Sequence, residues 1–306
     1  MVMKKRSAFT LIELLVGMAI LSILLLLIFN VIERTGALSS GSMSRMEAAR
    51  IARECFDLIG RDLSGAQLPY NRSATNSLQF LVNPKDLEPS YANPHSIFWQ
   101  APLASSAENG NLAMAGYFVQ RDVVTSDPKQ NRFQLRRLYV EQSDTNRFDL
   151  LSTSGGNAWY RALVPEFAPT TESPQSAQGF KGWVADGVLG LWVRCLDARG
   201  KPIKLTAAGT DLQASFDSRQ AFQSDRNRYP STGFSALPAF VEVGMVTCSP
   251  SDTRRITKLP ASGASGNPDT FYQDLNAFAA NLQNDNPAAK SIMVSSRIIP
   301  ILTADP

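Results

Sequence analysis

One acidic residue, Glu13, stands inside a long apolar run near the start of the 306-residue chain. The run extends from Phe9 to Ile32 and follows three positive charges at residues 4–6. An ionised carboxylate in a membrane segment costs roughly 2.5–3.5 kcal/mol on insertion scales, so an acid placed here suggests a functional site, with a plain uncleaved anchor as an equal alternative. Glu13 lies about one helical turn from Phe9, and this shallow position lowers the cost.

The apolar run has the length and the flanks of an uncleaved membrane span. As a helix, its 24 residues reach about 36 Å, whereas the apolar core of a cleaved secretory signal has only about 7–15 residues. The basic residues at 4–6 place the N-terminus on the cytoplasmic side. Because no second run approaches spanning length, the sequence predicts a single-pass protein with an exported head.

Catalytic chemistry finds little support in the residue pattern. His95 is the only histidine and lies in a loop-like context, so any Ser/His/Asp or Cys/His site would have to include it. There is no Gly-x-Ser-x-Gly elbow, no glycine-rich phosphate loop and no calcium-loop spacing of acids. We therefore predict no enzyme activity, no cofactor and no metal site.

The charge pattern argues against a nucleic-acid partner. The formal net charge of +3 equals the charge of the three basic residues at 4–6, which leaves the rest of the chain neutral. The nearest approach to a basic stripe is a set of four arginines, Arg132, Arg136, Arg137 and Arg147. Acids stand among them, which favours a solvated face.

Three cysteines in an exported head permit one disulfide. Cys195 and Cys248 each end an apolar, strand-like segment, whereas Cys55 lies in a helical region, so Cys195 and Cys248 are the candidate pair. Three reduced, partly buried thiols remain an equal alternative. The spacings match no metal-binding pattern.

A second helical segment is predicted at 33–66, after the apolar run. Its apolar residues recur at intervals of three and four and predict one buried stripe: Met43, Met46, Ala49, Ala52, Phe56, Ile59, Leu63 and Ala66. A stripe of this kind needs a sheet to cover it.

Residues after Pro69 predict a β-rich region with long loops. The candidate strands are 77–82, 96–101, 112–124, 132–142, 159–164, 188–197, 237–248 and 291–302. They are too many for one small sheet, so two antiparallel sheets or one large curved sheet are expected. Loops are predicted at 165–187 and 204–236. A short amphipathic helix is predicted at 268–283, with Asn267 as its N-cap and Pro268 in its first turn.

The N-terminal residues carry a family resemblance. Lys4-Lys5-Arg6-Ser7-Ala8 followed by Phe9-Thr10-Leu11-Ile12-Glu13-Leu14-Leu15-Val16 resembles the leader and helix start of type IV pilins and type II secretion pseudopilins. The resemblance implies that a prepilin peptidase cuts between Ala8 and Phe9 and methylates the new amine. It also implies that Glu13 pairs with the free amine of a neighbouring subunit. The family usually has Gly before the cut, where this chain has Ala8.

The resemblance implies an α+β fold in which a long N-terminal helix packs on an antiparallel β-rich head. The expected division is a leader at 1–8, a transmembrane helix at 9–32, an amphipathic half-helix at 33–66 and an extracytoplasmic head at 67–306. The protein would lie in the inner membrane, with its N-terminus cytoplasmic and its head periplasmic.

Three further stretches resemble large minor pseudopilins of the J type. They are 50–63, 188–200 and 237–243, the last two as a strand ending in Asp-x-x-Gly and an LP-x-x-V-x-V strand. This resemblance implies a place at the tip of a pseudopilus. The implied partners are the prepilin peptidase, other minor and major pseudopilins, the inner-membrane assembly platform and membrane lipid.

Three other identities stay open. The chain could be a minor pilin of a true type IV pilus, or a lineage-specific surface pilin similar to the long, J-like type C cassette proteins of the Verrucomicrobia. A single-pass anchored binding domain that never enters a filament is the alternative from another class.

Overall fold

The computed structural model describes residues 11–66, 79–84, 87, 91, 93–103, 112–122, 131–148, 159–167, 182–203, 205–207, 211–213, 215–218, 237–260 and 267–301. The chain forms two compact units, Met1–Met43 and Ser44–Pro306. We call the second the head unit.

A single helix, α1, runs from Leu11 to Ser64. In the first unit it exposes its side chains from Leu11 to Gly36, including the whole described part of the apolar run. The helix continues through the glycines at 36 and 41. No proline interrupts it, and a glycine costs only about 1 kcal/mol relative to alanine.

The strands are β1 (Phe80–Val82), β2 (Ile97–Ala101), β3 (Ala113–Asp122), β4 (Arg132–Glu141), β5 (Trp183–Asp186), β6 (Val188–Leu196), β7 (Leu205–Ala207), β8 (Asp211–Gln213), β9 (Phe216–Asp217), β10 (Phe240–Thr247) and β11 (Met293–Pro300). They form a six-stranded sheet in the order β5-β4-β3-β2-β1-β9 and a three-stranded sheet in the order β11-β10-β6. The pair β7-β8 stands apart. All neighbouring strands are antiparallel.

The head half of α1 packs against one face of both larger sheets. One hydrophobic cluster contains Ile51, Phe56 and Ile59 of the helix together with Trp99 of the six-stranded sheet and Val243 of the three-stranded sheet. This confirms the predicted fold class: a long N-terminal helix with an antiparallel β-rich head of two larger sheets.

The buried stripe of α1 begins later than its periodicity predicted. Met43 and Met46 are 68% and 70% exposed, and the first buried apolar side chain is Ala48. Including the two methionines in the stripe was wrong. The apolar period continues toward the N-terminus, but burial of the helix within the described head unit starts only at Ala48.

The opposite face of the six-stranded sheet is covered by α2 (Trp159–Phe167). A strand at 159–164 was therefore a wrong prediction. Trp159, Tyr160, Leu163 and Phe167 are all buried in one cluster, so their spacing follows a helical period. A short run of aromatic and branched residues has the composition of a strand. The helical spacing of the buried side chains can be recognised only when the segment is extended to Phe167.

The opposite face of the three-stranded sheet is covered by α4 (Phe271–Asp285), which follows the short helix α3 (Pro250–Thr253) and a 3₁₀ turn at Pro268–Thr270. The predicted stripe of α4 is buried: Phe271, Leu275, Phe278 and Leu282. Asn267 caps the segment as predicted, since its side chain accepts from the backbone N–H of Asp269 at 3.0 Å. Each larger sheet therefore lies between α1 and a second helix.

Candidate functional site

The residues implied in processing lie at the N-terminal end of α1. Ala8 and Phe9 fall outside the described residues, so the cleavage site remains a prediction. Glu13 lies in the first turn of α1 as described and is exposed. It is the only acid between Leu11 and Ile32.

The surface of α1 around Glu13 is apolar. Between Leu11 and Ile32 the large apolar side chains are 46–80% exposed. Among the described residues, α1 is the one helix long and apolar enough to cross a membrane. Such a surface requires lipid or other helices as its environment, because water is a poor solvent for a continuous apolar cylinder.

The other end of α1 is fixed to the six-stranded sheet by a partly buried ion pair. Arg137 donates from Nε to Oδ2 of Asp62 at 2.8 Å, and the Tyr117 hydroxyl donates to the same oxygen at 2.6 Å. Burial, with Asp62 beside the hydroxyl, raises the pKa of Tyr117 far above its usual range. The phenol therefore remains a hydrogen-bond donor at any physiological pH.

The three-stranded sheet holds α1 at other points. Thr247 donates its hydroxyl to the carbonyl of Ala48 at 3.2 Å, and Arg297 forms an ion pair with Asp57. Within the head unit, α1 is thus tied to both larger sheets. The Thr247 contact is buried, whereas the ion pair between Arg297 and Asp57 is exposed.

A second, largely buried ion pair lies under α4. Arg194 of β6 donates from Nε to Glu242 of β10 at 2.7 Å, and Glu242 also accepts from the Tyr272 hydroxyl of α4. Glu242 is 1% exposed, whereas Tyr272 is 47% exposed. Arg194 also stacks over the rings of Phe271 and Tyr272, at 4.7 and 5.3 Å from their centroids. The pair fixes an aromatic side chain at the surface.

The four arginines weighed as a basic stripe do not form one. Arg136 is 2% exposed and donates to Gln120 at 2.9 Å and to Gln134 at 2.7 Å, so the expectation of a solvated face is wrong for this residue. Arg137 points to the opposite face, because side chains alternate along a strand, and it meets Asp62 there. Arg147 pairs at the surface with Asp144 of the turn that follows β4 and with Glu166 of α2.

His95 is buried between the two larger sheets. Its Nδ1 lies 3.0 Å from both the N and O atoms of Val193, and Nε2 is buried with no hydrogen-bond partner. Burial lowers the pKa of His95 to about 4, although the Val193 carbonyl and Asp274 act in the opposite direction. The ring is therefore neutral at pH 7. No nucleophile contacts it among the described hydrogen bonds.

A polar cluster that the sequence did not reveal joins α3 to the start of β11. Ser291 donates to Asp252 at 2.6 Å and contacts Ser249 at 3.0 Å, and all three are buried. The Ser291 backbone N–H also donates to Asp252. The arrangement caps the chain where β10 ends. Its only sequence signal is serine and aspartate at a helix start, which predicts a cap and no chemistry.

The candidate disulfide is not formed. All three cysteines are free and buried. Cys195 lies opposite Val241 on the α1 side, whereas the N–H of Cys248 bonds to Gly187 beyond the other end of the same strand pair. Of the two alternatives, the candidate pairing of Cys195 with Cys248 is contradicted, because antiparallel pairing separates the ends of two successive strand segments. About seven residues of strand, roughly 23 Å, lie between them.

The cysteine environments are those of inert thiols. Burial raises the pKa of Cys55 to about 12, with Glu54 acting in the same direction, and burial also raises the pKa values of Cys195 and Cys248. Within the described part of the chain, no group of three or more His, Cys, Asp or Glu side chains could hold a metal ion.

Comparison with known proteins places one motif on this framework. The family model of the prokaryotic N-terminal methylation motif matches residues 3–29. This match indicates a type IV pilin-like or pseudopilin protein that a prepilin peptidase processes and that assembles with other pilins. With the apolar part of α1, it indicates a membrane-anchored, single-pass protein. No curated protein and no solved structure matches the chain.

Proposed function

We propose that the chain is a minor pseudopilin of a type II secretion-like pseudopilus, a non-catalytic subunit that assembles at the filament tip. Prepilin peptidase would cut between Ala8 and Phe9, and the basic residues at 4–6 would keep that site on the cytoplasmic side of the inner membrane. The head would then lie in the periplasm, where it meets other minor subunits or cargo.

The observation that carries the proposal is the difference between the two halves of α1. The helix is apolar and exposed around Glu13, and its head half is buried against two sheets and tied to the six-stranded sheet through Asp62. A subunit inserted into a filament through its N-terminal helix needs such a connection, because the head must follow the helix out of the membrane.

Two features favour a minor subunit of the J type. The head unit is large, and the stretches that resemble this type, 188–200 and 237–243, belong to or adjoin the neighbouring strands β6 and β10. Asp197 and Lys201 close the turn that follows β6, since the Asp197 side chain accepts from the backbone N–H groups of residues 199 and 201.

Processing is tested first, by N-terminal mass analysis of the protein from cells that contain a prepilin peptidase. The expected mature chain begins at Phe9 with a methylated amine, and Ala8→Gly should increase the processed fraction. A chain that still begins at Met1 would contradict filament assembly through Glu13.

Assembly is tested with Glu13→Ala in cells that form the pseudopilus. We expect normal membrane insertion but loss of incorporation, because the acid that pairs with a neighbour's amine is gone. Glu33→Ala is the matched control, since it removes an exposed acid of the same helix just beyond the apolar run. Normal incorporation of Glu13→Ala would contradict the proposed ion pair between Glu13 and the amine of a neighbouring subunit.

The filament type is tested by co-purification of the full chain with candidate subunits. Recovery with other minor pseudopilins is expected. Recovery with adhesive pilins of a retractile pilus would replace the proposal with a type IV minor pilin. A processed chain found with no subunit of either kind would favour an anchored binding domain.

A further inference from the structure

The outer edge of β11 differs from the other sheet edges in the described part of the chain. The six-stranded sheet ends in β9, which has two residues, and in β5, which has four and an irregular register. The free side of β6 is covered, since Leu191 exchanges backbone hydrogen bonds with Asn93 and His95. By contrast, β11 has eight residues, and no described strand pairs with its outer side.

A long open edge is a template for another strand, and proteins usually protect it. The backbone groups that point outward follow from the register. Ile301 donates its N–H inward to Ala239 at 3.0 Å, so alternate residues direct their N–H and C=O groups away from β10. These outward residues are Val294, Ser296, Ile298 and Pro300. Proline has no N–H, so the open row of donors ends at Ile298.

Apolar surface accompanies this edge. Ile298 is 52% exposed and lies opposite Glu242, whose carboxylate holds the hydroxyl of the 47% exposed Tyr272. The outward backbone row and the two exposed apolar side chains thus lie together at one margin of the three-stranded sheet.

The edge sequence is self-complementary. An antiparallel pairing of β11 with a second β11, centred on Ser296, places Val294 opposite Ile298 and Ser295 opposite Arg297. Apolar side chains then meet apolar ones, and no like charges face each other. Val294, Ser296 and Ile298 of each strand form hydrogen-bonded pairs, which gives about six backbone hydrogen bonds.

Registers shifted toward Pro300 are worse. Moving the centre by one residue toward Pro300 brings Arg297 opposite Arg297, and moving it by two places Pro300 in a pair that needs an N–H. We propose that β11 is a homotypic interface: two copies of this chain join their three-stranded sheets edge to edge through β11, with Ser296 at the two-fold axis. This interface is independent of the filament type.

The test is disulfide trapping of the full chain in its membrane. Ser296→Cys places two thiols across the axis in one hydrogen-bonded pair, with Cα atoms about 5.5 Å apart, within the range that a disulfide bridges. The native cysteines contribute little background, because none exceeds 3% exposure. Mild oxidation should convert the variant to a covalent dimer.

Two matched cysteines define the background. Ser295→Cys lies one residue away, but its counterpart is a diagonal neighbour at about 7–8 Å, which is too far for efficient bridging. Ser143→Cys lies in an exposed surface turn and reports random collisions. We expect at least fivefold more dimer from Ser296→Cys than from either. Equal yields, or a crosslink to a different protein, would overturn the homotypic interface.

Blocking the edge gives the complementary result. Ile298→Pro removes one outward N–H and leaves the ladder to β10 intact, as Pro300 already does two residues away. Added to Ser296→Cys, it should reduce the dimer at least tenfold, whereas Ile298→Val should not. Ile298→Lys is a second blocking variant, since edge lysines oppose pairing. Full dimer yield from either blocking variant with an unchanged unfolding midpoint would also overturn the interface.

Discussion

Arg137 donates from Nε to Oδ2 of Asp62 at 2.8 Å, which joins the last turns of α1 to the six-stranded sheet. The Asp62 side chain is 7% exposed, and that of Arg137 is 27% exposed. A nearly buried carboxylate therefore depends on one cation and on the Tyr117 hydroxyl. Within the head unit, the attachment of α1 to the six-stranded sheet rests in part on this charge pair.

Arg137→Met should lower the free energy of unfolding by about 2–3 kcal/mol, because it leaves a buried carboxylate without its cation. The measurement is urea unfolding of the full chain in detergent, followed by the fluorescence of the buried Trp99 and Trp192. Arg147→Met is the control, since Arg147 forms its ion pairs with Asp144 and Glu166 at the surface. Equal losses in the two variants would contradict the assignment.

Gly244→Ala and Gly60→Ala should shift stability in opposite directions. A Cβ at Gly244 would clash with Leu275 Cδ1 and lie 2.8 Å from Phe271 Cζ, so the variant should lose about 1–3 kcal/mol through overpacking under α4. A Cβ at Gly60 meets nothing within 4 Å, so this helical position should gain up to about 1 kcal/mol. The same urea measurement compares them, and a stabilised Gly244→Ala would refute the close approach of α4.

The sequence predicted those parts of the fold in which one local period dominates. The spacing of Phe271, Leu275, Phe278 and Leu282 admits only a helix, and Asn267 and Pro268 mark its start. Trp159 to Val164 was misread because a nine-residue helix rich in aromatic and branched residues has too few turns to show its period. Where burial begins on α1 depends on the position of the sheets. The period of the apolar residues carries no information about that position.

Side-chain pairs between distant segments were also beyond the sequence. The contacts of Asp62 with Arg137 and of Arg194 with Glu242 join residues 75 and 48 positions apart, and neither pair follows from local pattern. The disulfide expectation failed for the same reason. Cys195 and Cys248 resemble each other in context, but the register of β6 and β10 places them at opposite ends of the strands.

The three cysteines should resist modification in the folded protein. Each is at most 3% exposed, and burial raises the pKa of all three thiols, which suppresses the reactive thiolate. A maleimide reagent should label no thiol of the native chain and three thiols in denaturant. A reductant should leave the unfolding midpoint unchanged. Protection of two thiols in the denatured, unreduced chain would instead reveal a disulfide.

His95 should make the folded state less stable in mild acid. Burial lowers its pKa to about 4, whereas an imidazole in the unfolded chain has a pKa of about 6.5. Between these values the unfolded chain binds a proton that the native state does not, so the free energy of unfolding falls as the pH decreases through this window. Above about pH 6.5 the free energy of unfolding is not reduced by His95. Once the pH has fallen through the window, protonation of His95 in the unfolded chain reduces the free energy of unfolding by as much as about 3 kcal/mol.

His95→Gln separates this effect from the titration of carboxylates. The variant has no imidazole, so its free energy of unfolding should fall less between pH 7 and pH 4 than that of the unaltered protein. Asp122, whose pKa burial raises, is present in both proteins and cancels in the difference. Urea unfolding at half-unit pH intervals gives both curves. If they run parallel through the window, His95 must titrate alike in the folded and unfolded chain, and its burial between the two sheets would be wrong.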